Sequence, residues 1–196
     1  GQSCELMVKD WKISREDQDQ LALQSHLNAA KAWTEGFYSD LVTPSFGLDS
    51  DNNVRGDTTL EKMKKLKPAF DPEHGTLTAG NSSALSDGAA CVLLASEDWA
   101  KSHNLPVLAY LTFGETAAVE FTKAEGLLMA PAYAVPRMLD RAKLKLQDFD
   151  IYEIHEAFAG QVLCTLKAWE SDEFCRQRLG LSGALGKIDR NKMNLN

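Results

Sequence analysis

One stretch, residues 148–162, constrains the fold most, because its apolar pattern changes from that of a strand to that of a helix. Residues 151–154 follow an acidic turn and are mostly β-branched or aromatic, which favours a strand of about four to five residues. Beyond that point the apolar side chains recur at helical spacing: Phe158, Val162, Thr165, Leu166 and Trp169. We therefore predict that His155 and Glu156 lie where the strand ends and the helix begins, the place where ligand clefts open in α/β sheets.

Two further segments have the composition of strands. Residues 89–95 form a continuous apolar run, which predicts a strand covered on both faces. Residues 107–113 alternate weakly between apolar and polar side chains. Helical patterns separate these segments, including one that Ser96 caps and one over residues 131–142. Strands separated by helices predict a layered α/β architecture.

The first 75 residues have the pattern of helices and loops without a convincing sheet. Ser3 and Ser14 are each predicted to cap a helix, and Thr58 with Glu61 forms a possible capping box for a short third helix. Between the second and third helices we predict an extended segment at 37–46 and a polar, exposed loop at 47–57. A polar, glycine-containing tail is expected over 172–196.

Composition excludes several classes of protein. The net charge of −7 and the pI of about 5.1 argue against a nucleic-acid partner, and no apolar run approaches the roughly 20 residues of a membrane span. The four cysteines show neither Cys-x-x-Cys pairing nor histidines at ligand spacing, so no metal site is predicted. Cys4, Cys91 and Cys164 lie in apolar patterns and are predicted to be buried thiols, as expected of the bacterial cytoplasm or the mitochondrial matrix.

Several residues could carry chemistry, each with a structural alternative. His155 could donate to an oxyanion or orient a water that does so, or it could hold a loop. Glu156 could be a base or a structural carboxylate. The small, polar segment 78–88 could face a phosphate or an amide-bearing arm such as pantetheine, or form a tight entry to the next strand. Arg55 could hold a nucleotide or be solvated, and Phe158 is core by default.

Four segments, in this order, resemble the thiolase family. Asp-Gln-Asp at 17–19, followed by Ala22, Ser25 and His26, is similar to the helix that enters the family's loop domain. Lys-Leu-Lys-Pro-Ala-Phe at 65–70 is similar to a family segment, and Gly-Thr-Leu-Thr-Ala-Gly-Asn-Ser-Ser at 75–83, followed by Asp-Gly-Ala at 87–89, resembles a highly specific signature. His-Glu-Ala-Phe at 155–158 resembles the usual Asn-Glu-Ala-Phe. Its histidine form is similar to the thiolase subunit of the trifunctional fatty-acid β-oxidation complex. The resemblance covers essentially all 196 residues.

The resemblance implies part of the layered α/β/α thiolase fold. Residues 1–75 would be the helical loop domain, 76–106 the end of the N-terminal domain and 107–196 the first part of the C-terminal domain. It also implies a homo-oligomer, with a hydratase/dehydrogenase subunit as a possible further partner.

The implied activity is that of an acyl-CoA C-acyltransferase, which cleaves 3-ketoacyl-CoA with CoA in fatty-acid β-oxidation. CoA would be a substrate, and no permanently bound cofactor is implied. By the same resemblance His155 occupies the water-orienting position of an oxyanion hole. Ser83 and Ala79 match the pantetheine contacts, and Arg55 matches an arginine on the adenine side. The residues that match the acyl–pantetheine tunnel are Ala157, Phe158, Phe70 and Met129.

The family's reactive groups have no counterpart in this sequence. None of the four cysteines matches the acylated cysteine or the second catalytic cysteine, and the chain contains no Gly-His-Pro histidine motif. We therefore expect no turnover by these 196 residues alone. The alternative is a non-catalytic protein of thiolase fold that binds CoA or acyl-CoA or serves in assembly. A decarboxylating condensing enzyme is disfavoured by the loop domain.

Overall fold

The computed structural model describes residues 1–120, 122 and 126–196, so residues 121 and 123–125 of the predicted C-terminal domain lie outside it. Short 3₁₀ turns at Leu146–Asp148 and Arg190–Lys192 accompany the α-helices. The α-helices are α1 (Gln2–Asp10), α2 (Arg15–Thr34), α3 (Leu60–Lys64), α4 (Glu97–Ser102), α5 (Ala130–Ala142), α6 (Ala159–Glu170) and α7 (Asp172–Leu179).

Helix α6 is the centre of the core. It packs against α1, α2, α5 and α7, and its predicted apolar face is confirmed, because Val162, Thr165, Leu166 and Trp169 are all buried. One core cluster joins α6 to α1 and α7: Cys4, Met7, Val8, Leu77, Met129, Ala132, Cys164, Ala168, Phe174 and Cys175. A second cluster joins α6 to α2 and α5: Leu21, Leu139, Leu146, Ala159, Val162, Leu163, Leu166, Trp169, Ile188 and Met193.

The helix caps show where local sequence rules succeed and where they fail. Ser14 caps α2 as predicted, and its hydroxyl accepts from the Asp17 N–H. The predicted cap at Ser3 is wrong, because α1 already begins at Gln2 and places Ser3 inside the helix. For α3 the capping hydroxyl belongs to Thr59 rather than Thr58, and it accepts from the N–H of Lys62.

The predicted strands do not form hydrogen-bonded ladders within the described part of the chain. The bridges recorded there are isolated pairs: Ser45 with Leu48, Pro68 with Thr78, Ser82 with Phe158, and Tyr152 with Met193. Residues 89–95 and 107–113 lack regular secondary structure, and they are exposed rather than covered: Val92 is 83% exposed and Leu108 is 91% exposed. The composition of a segment shows that it could fit into a sheet. Its burial depends in addition on neighbouring strands that pair with it and on helices that cover it.

Two other local predictions are corrected. Residues 36–41 form turns rather than an extended segment, and a tight reversal at Phe46 and Gly47, with φ of 50° and 83°, pairs Ser45 with Leu48. The predicted exposed loop at 47–57 is confirmed. The tail predicted to be polar contains α7, which Ser171 caps by accepting from the N–H of Phe174.

Candidate functional site

A buried carboxylate on α1 holds the backbone of the loop at residues 75–83. Glu5 is 3% exposed. Its Oε1 accepts from the N–H groups of Thr76, at 3.0 Å, and Leu77, at 2.8 Å. One side chain thereby satisfies a buried backbone donor and a partly buried one, which removes the penalty of leaving them unpaired.

A second network fixes the same loop to α2. Asn81 accepts from the Thr78 N–H at 2.8 Å, and its Nδ2 donates to Asp19 Oδ1 at 2.9 Å. Asp19 is fully buried and also accepts from Arg15 Nε at 2.9 and 2.8 Å. Next to it, Gln18 donates to the Thr76 hydroxyl at 3.0 Å. These bonds hold the loop rigid before any ligand arrives.

The sequence interpretation gave no anchoring role to the residues that hold this loop, although Gln18 and Asp19 belong to a thiolase-like segment. Glu5, Gln18 and Asp19 are polar residues on helix faces that pack into the core. One signal was available for Asp19, because an arginine four residues earlier on the same helix is at ion-pair spacing. Nothing local in the sequence shows that Glu5 reaches a loop about 70 residues away.

An antiparallel bridge joins this loop to the start of α6. The Ser83 N–H donates to the Ala157 carbonyl at 2.7 Å, and the Ala159 N–H donates to the Asn81 carbonyl at 3.1 Å. The bridge keeps Phe158 extended, with φ of −135° and ψ of 122°, so α6 begins only at Ala159. The prediction that a helix begins at His155 and Glu156 is therefore wrong by about one turn.

A cavity of about 550 Å³ opens beside this anchored loop. Its walls are one face of α2, the polar loop around residues 51–58, helix α3, and residues 79–86. Ala79, Ser83 and Arg55, the three residues matched to CoA contacts, all line it. Segments far apart in sequence thus meet around one volume of a size typical of small-molecule sites.

His155 lies elsewhere. It is exposed, and the lining that the described residues provide includes Glu156 but not His155. Glu156 also borders a second cavity of about 360 Å³, whose walls carry amide side chains from α2 and from residues 191–194. The oxyanion-hole role of His155 stays a prediction.

The four residues matched to the tunnel are not all together. Phe70 and Phe158 make an edge-to-face contact with ring centroids 6.0 Å apart. Ala157 is next to this pair and is fixed through its carbonyl by Ser83. Met129 is fully buried in the core cluster around α1, so its contacts in the described structure are with core side chains.

The cavity contains cationic groups with different partners. Lys62 is paired with Asp57 at 2.7 Å. Arg55 Nη1 donates to the carbonyls of Asn52, at 2.6 Å, and Val54, at 3.2 Å, and no carboxylate among the described residues lies within ion-pair distance of its guanidinium. The Arg55 charge is therefore available to an anionic ligand. Burial, and then the nearby Arg55, hold the pKa of His26 below its ordinary value.

The cysteines do not provide an activated nucleophile. Burial raises the pKa of Cys4 to about 11 and that of Cys164 to about 12, and Cys175 is also buried. The prediction that Cys91 is buried is wrong, because its segment is not covered in the structure and the thiol is exposed. A thiol with a raised pKa is mostly protonated at neutral pH and therefore reacts slowly.

We expect iodoacetamide to alkylate only Cys91 in the native protein at pH 7.5. Cys4, Cys164 and Cys175 should react only after unfolding, because burial denies access to all three. Intact-mass spectrometry should therefore show one adduct before denaturation and four after it. The variant Cys91→Ser is the control, and its native state should take up no adduct. Labelling of Cys4 or Cys164 as fast as Cys91 would contradict this assignment.

Comparison with protein-family models decides the family. A model described as the thiolase N-terminal domain matches residues 1–98, and one described as the thiolase C-terminal domain matches residues 105–196. The chain belongs to the thiolase family. The 3-ketoacyl-CoA thiolase of Yersinia pestis (strain Pestoides F) is 45% identical over 201 residues, which cover 100% of this chain and 46% of that relative. This thiolase chain therefore spans about half the length of the curated relatives it matches.

Solved structures confirm the predicted α/β thiolase fold. The dimeric peroxisomal thiolase of Saccharomyces cerevisiae matches with a TM-score of 0.81 and 38% identity, over 100% of this chain and 46% of that one. Human mitochondrial 3-ketoacyl-CoA thiolase in complex with CoA matches with a TM-score of 0.80 and 33% identity. The match covers 100% of this chain and 45% of the human one. Within the described residues of this thiolase chain, no helix is both long and apolar enough to cross a bilayer.

Proposed function

We propose that the protein containing this chain is a 3-ketoacyl-CoA thiolase that acts in fatty-acid β-oxidation and uses CoA as a substrate. One observation carries the proposal. The three residues matched to CoA contacts come from two segments far apart in sequence, Ala79 and Ser83 from the loop at 75–83 and Arg55 from the loop at 47–57, and they line one cavity of about 550 Å³. Arg55 supplies a guanidinium with no carboxylate partner in the described structure, which suits a nucleotide phosphate.

The proposal divides the ligand between two parts of the site. The nucleotide would contact the polar loop that carries Arg55, and the pantetheine arm would pass Ala79 and Ser83. The acyl end would then approach the Phe70–Phe158 pair, where two aromatic rings offer an apolar surface. His155 would orient a water at an oxyanion, as the family motif implies.

The same resemblance supports further proposals about the assembly. A homo-oligomer is proposed, and the similarity to the dimeric peroxisomal thiolase of Saccharomyces cerevisiae supports it. Association with a hydratase/dehydrogenase subunit is proposed from the His-Glu-Ala-Phe motif alone. The proposed compartment is the bacterial cytoplasm or the mitochondrial matrix, on the basis of free cysteines and the absence of a predicted disulfide framework.

A non-catalytic CoA-binding protein is the second candidate, because it needs only the ligand contacts of the cavity, such as Ser83 and Arg55. Cys4 and Cys164 have raised pKa values, and none of the four cysteines lines the cavity in the described structure. This candidate predicts CoA binding without acyl transfer even in a protein with complete thiolase domains. A thiolysis assay with 3-ketoacyl-CoA and CoA on the full-length protein separates the two candidates.

The binding step is tested by replacing Arg55. Isothermal titration should show that Arg55→Ala weakens CoA binding by roughly 10- to 100-fold, the effect of losing charge-assisted hydrogen bonds worth about 1.5–3 kcal/mol. Binding of pantetheine, which lacks the nucleotide, should not change. The matched control is Arg141→Ala, which removes a surface arginine paired with Glu115. Equal CoA affinity in the two variants would contradict the assigned nucleotide contact.

A further inference from the structure

His26, to which the sequence analysis assigned no role, makes a hydrogen bond to the polar loop. It lies on α2 and lines the cavity, and its Nδ1 accepts from the backbone N–H of Arg55 at 3.2 Å. Only a neutral imidazole with its proton on Nε2 can accept at Nδ1. The lowered pKa of His26 is consistent with the neutral form.

This bond has a particular place in the attachment of the polar loop. Among the residues that the structure describes, it is the one hydrogen bond that joins residues 47–57 to α2. The other recorded bonds lie within the loop or reach α3, such as Asn53 N–H to Asp51 and Lys62 Nζ to the carbonyl of Asp57. The loop is therefore held at one end by α3 and at Arg55 by His26.

A steric contact next to it completes the attachment. A Cβ placed on Gly56 would lie 2.8 Å from the Cβ of Ala30 on α2, which is closer than two carbon atoms approach without displacement. Glycine at this position lets the loop backbone lie directly on the helix. His26 and Gly56 thus fix the backbone on which the Arg55 side chain depends.

Three charged groups lie near the His26 ring, and none of them fixes the loop backbone at Arg55 as the His26 hydrogen bond does. Arg55 and Asp51 face the ring from the loop, and Glu156 faces it from the segment before α6. The Arg55 guanidinium is oriented by the carbonyls of Asn52 and Val54, which belong to the same loop. The direction in which Arg55 points therefore follows from the position of that loop.

We propose that His26 is a positioning residue that holds Arg55 against the cavity and so favours ligands with a nucleotide phosphate over nucleotide-free pantetheine thiols. The inference rests on the proposed CoA site. Loss of His26 frees the Arg55 backbone, so each ligand that uses Arg55 must order the loop as it binds. A ligand that contacts only Ala79 and Ser83 does not carry that cost.

The test compares His26→Ala, His26→Asn and the unsubstituted full-length protein, with CoA, adenosine 3′,5′-bisphosphate and pantetheine as separate probes. We expect His26→Ala to weaken the binding of CoA and of the bisphosphate by about fivefold or more, the factor that corresponds to one net hydrogen bond. Pantetheine affinity should stay within twofold. His26→Asn should restore both nucleotide affinities, because its Oδ1 can accept from the Arg55 N–H.

A second variant leaves the histidine in place. Gly56→Ala should displace the loop from Ala30 and give the same selective loss. Circular dichroism confirms that each variant is folded. An equal loss for pantetheine, or CoA and bisphosphate affinities within twofold of the unsubstituted protein, overturns the inference while leaving the CoA site intact. Failure of the unsubstituted protein to bind CoA at all would contradict the proposed function and, with it, this inference.

Discussion

Replacement of Asp19 by alanine is expected to lower the free energy of unfolding by about 3–5 kcal/mol, the range for removing one partner of a buried ion pair. The Asp19 side chain is 1% exposed and accepts from Arg15 and from Asn81. Its loss removes the carboxylate partner of Arg15, whose side chain is 24% exposed and still donates to the Met63 carbonyl. It also removes one of the two acceptors of the Asn81 amide. Because Asn81 holds the loop at 75–83, the cavity should also lose its fixed wall.

Urea unfolding followed by circular dichroism measures this effect. With a urea m-value of about 2 kcal/mol/M, the midpoint should fall by roughly 1.5–2.5 M. The control is Asp150→Ala, whose carboxylate is fully exposed and should change stability by no more than about 0.5 kcal/mol. Asp19→Asn keeps one acceptor but loses the charge, so its urea midpoint should lie between those of Asp19→Ala and Asp150→Ala. The network would not have the strength assigned to it if Asp19→Ala and Asp150→Ala unfolded at the same urea concentration.

Replacement of Trp169 by alanine is expected to cost about 3–5 kcal/mol, the usual range for removing a large aromatic side chain from a core. Trp169 is 4% exposed and packs in the cluster that joins α6 to α2 and α5. Its Nε1 donates to the Ala132 carbonyl at 3.4 Å, so the substitution also leaves an acceptor of α5 without this donor. The expected loss of stability has three causes: less apolar area is buried, a cavity remains in the core, and the Nε1 hydrogen bond is absent.

Thermal unfolding of matched tryptophan variants tests the assignment. Trp99→Ala is the control, because Trp99 is 43% exposed and stacks on His103 at the surface, with ring centroids 4.0 Å apart. Trp169→Phe should lose less than Trp169→Ala because it keeps most of the packing. Comparable destabilisation by Trp99→Ala and Trp169→Ala would show that α6 is not the centre of the core.

Local rules predicted the helices better than the strands, and the reason is physical. The cap at Ser14 and the apolar face of α6 depend on residues a few positions apart, and both are confirmed. Residues 89–95 have the composition of a covered strand, yet Val92 is 83% exposed. Coverage of a strand depends on neighbours distant in sequence, and the chain spans about half the length of its curated relatives.

The candidate site was predictable only in part. The family resemblance identified Arg55, Ser83 and Ala79, and the fold brings all three to one cavity. It did not include Glu5, and it gave no role to His26, although His26 lies in a thiolase-like segment. Glu5 bonds a loop about 70 residues away, and His26 bonds a backbone N–H 29 positions away. Hydrogen bonds from side chains to distant backbone groups leave no periodicity in the sequence, so the partner of such a side chain cannot be inferred from local patterns.

The packing of α1 against α6 has a consequence for synthesis on the ribosome. Cys4, Met7 and Val8 belong to the same cluster as Cys164, which is 160 positions further along the chain. At about 5–20 residues per second, α1 emerges roughly 8–30 s before its partner helix has been translated. During that interval the part of the apolar face of α1 that packs on α6 lacks its native partner. Nascent chains should therefore need a holding chaperone early in translation, and this demand should fall once α6 has left the exit tunnel.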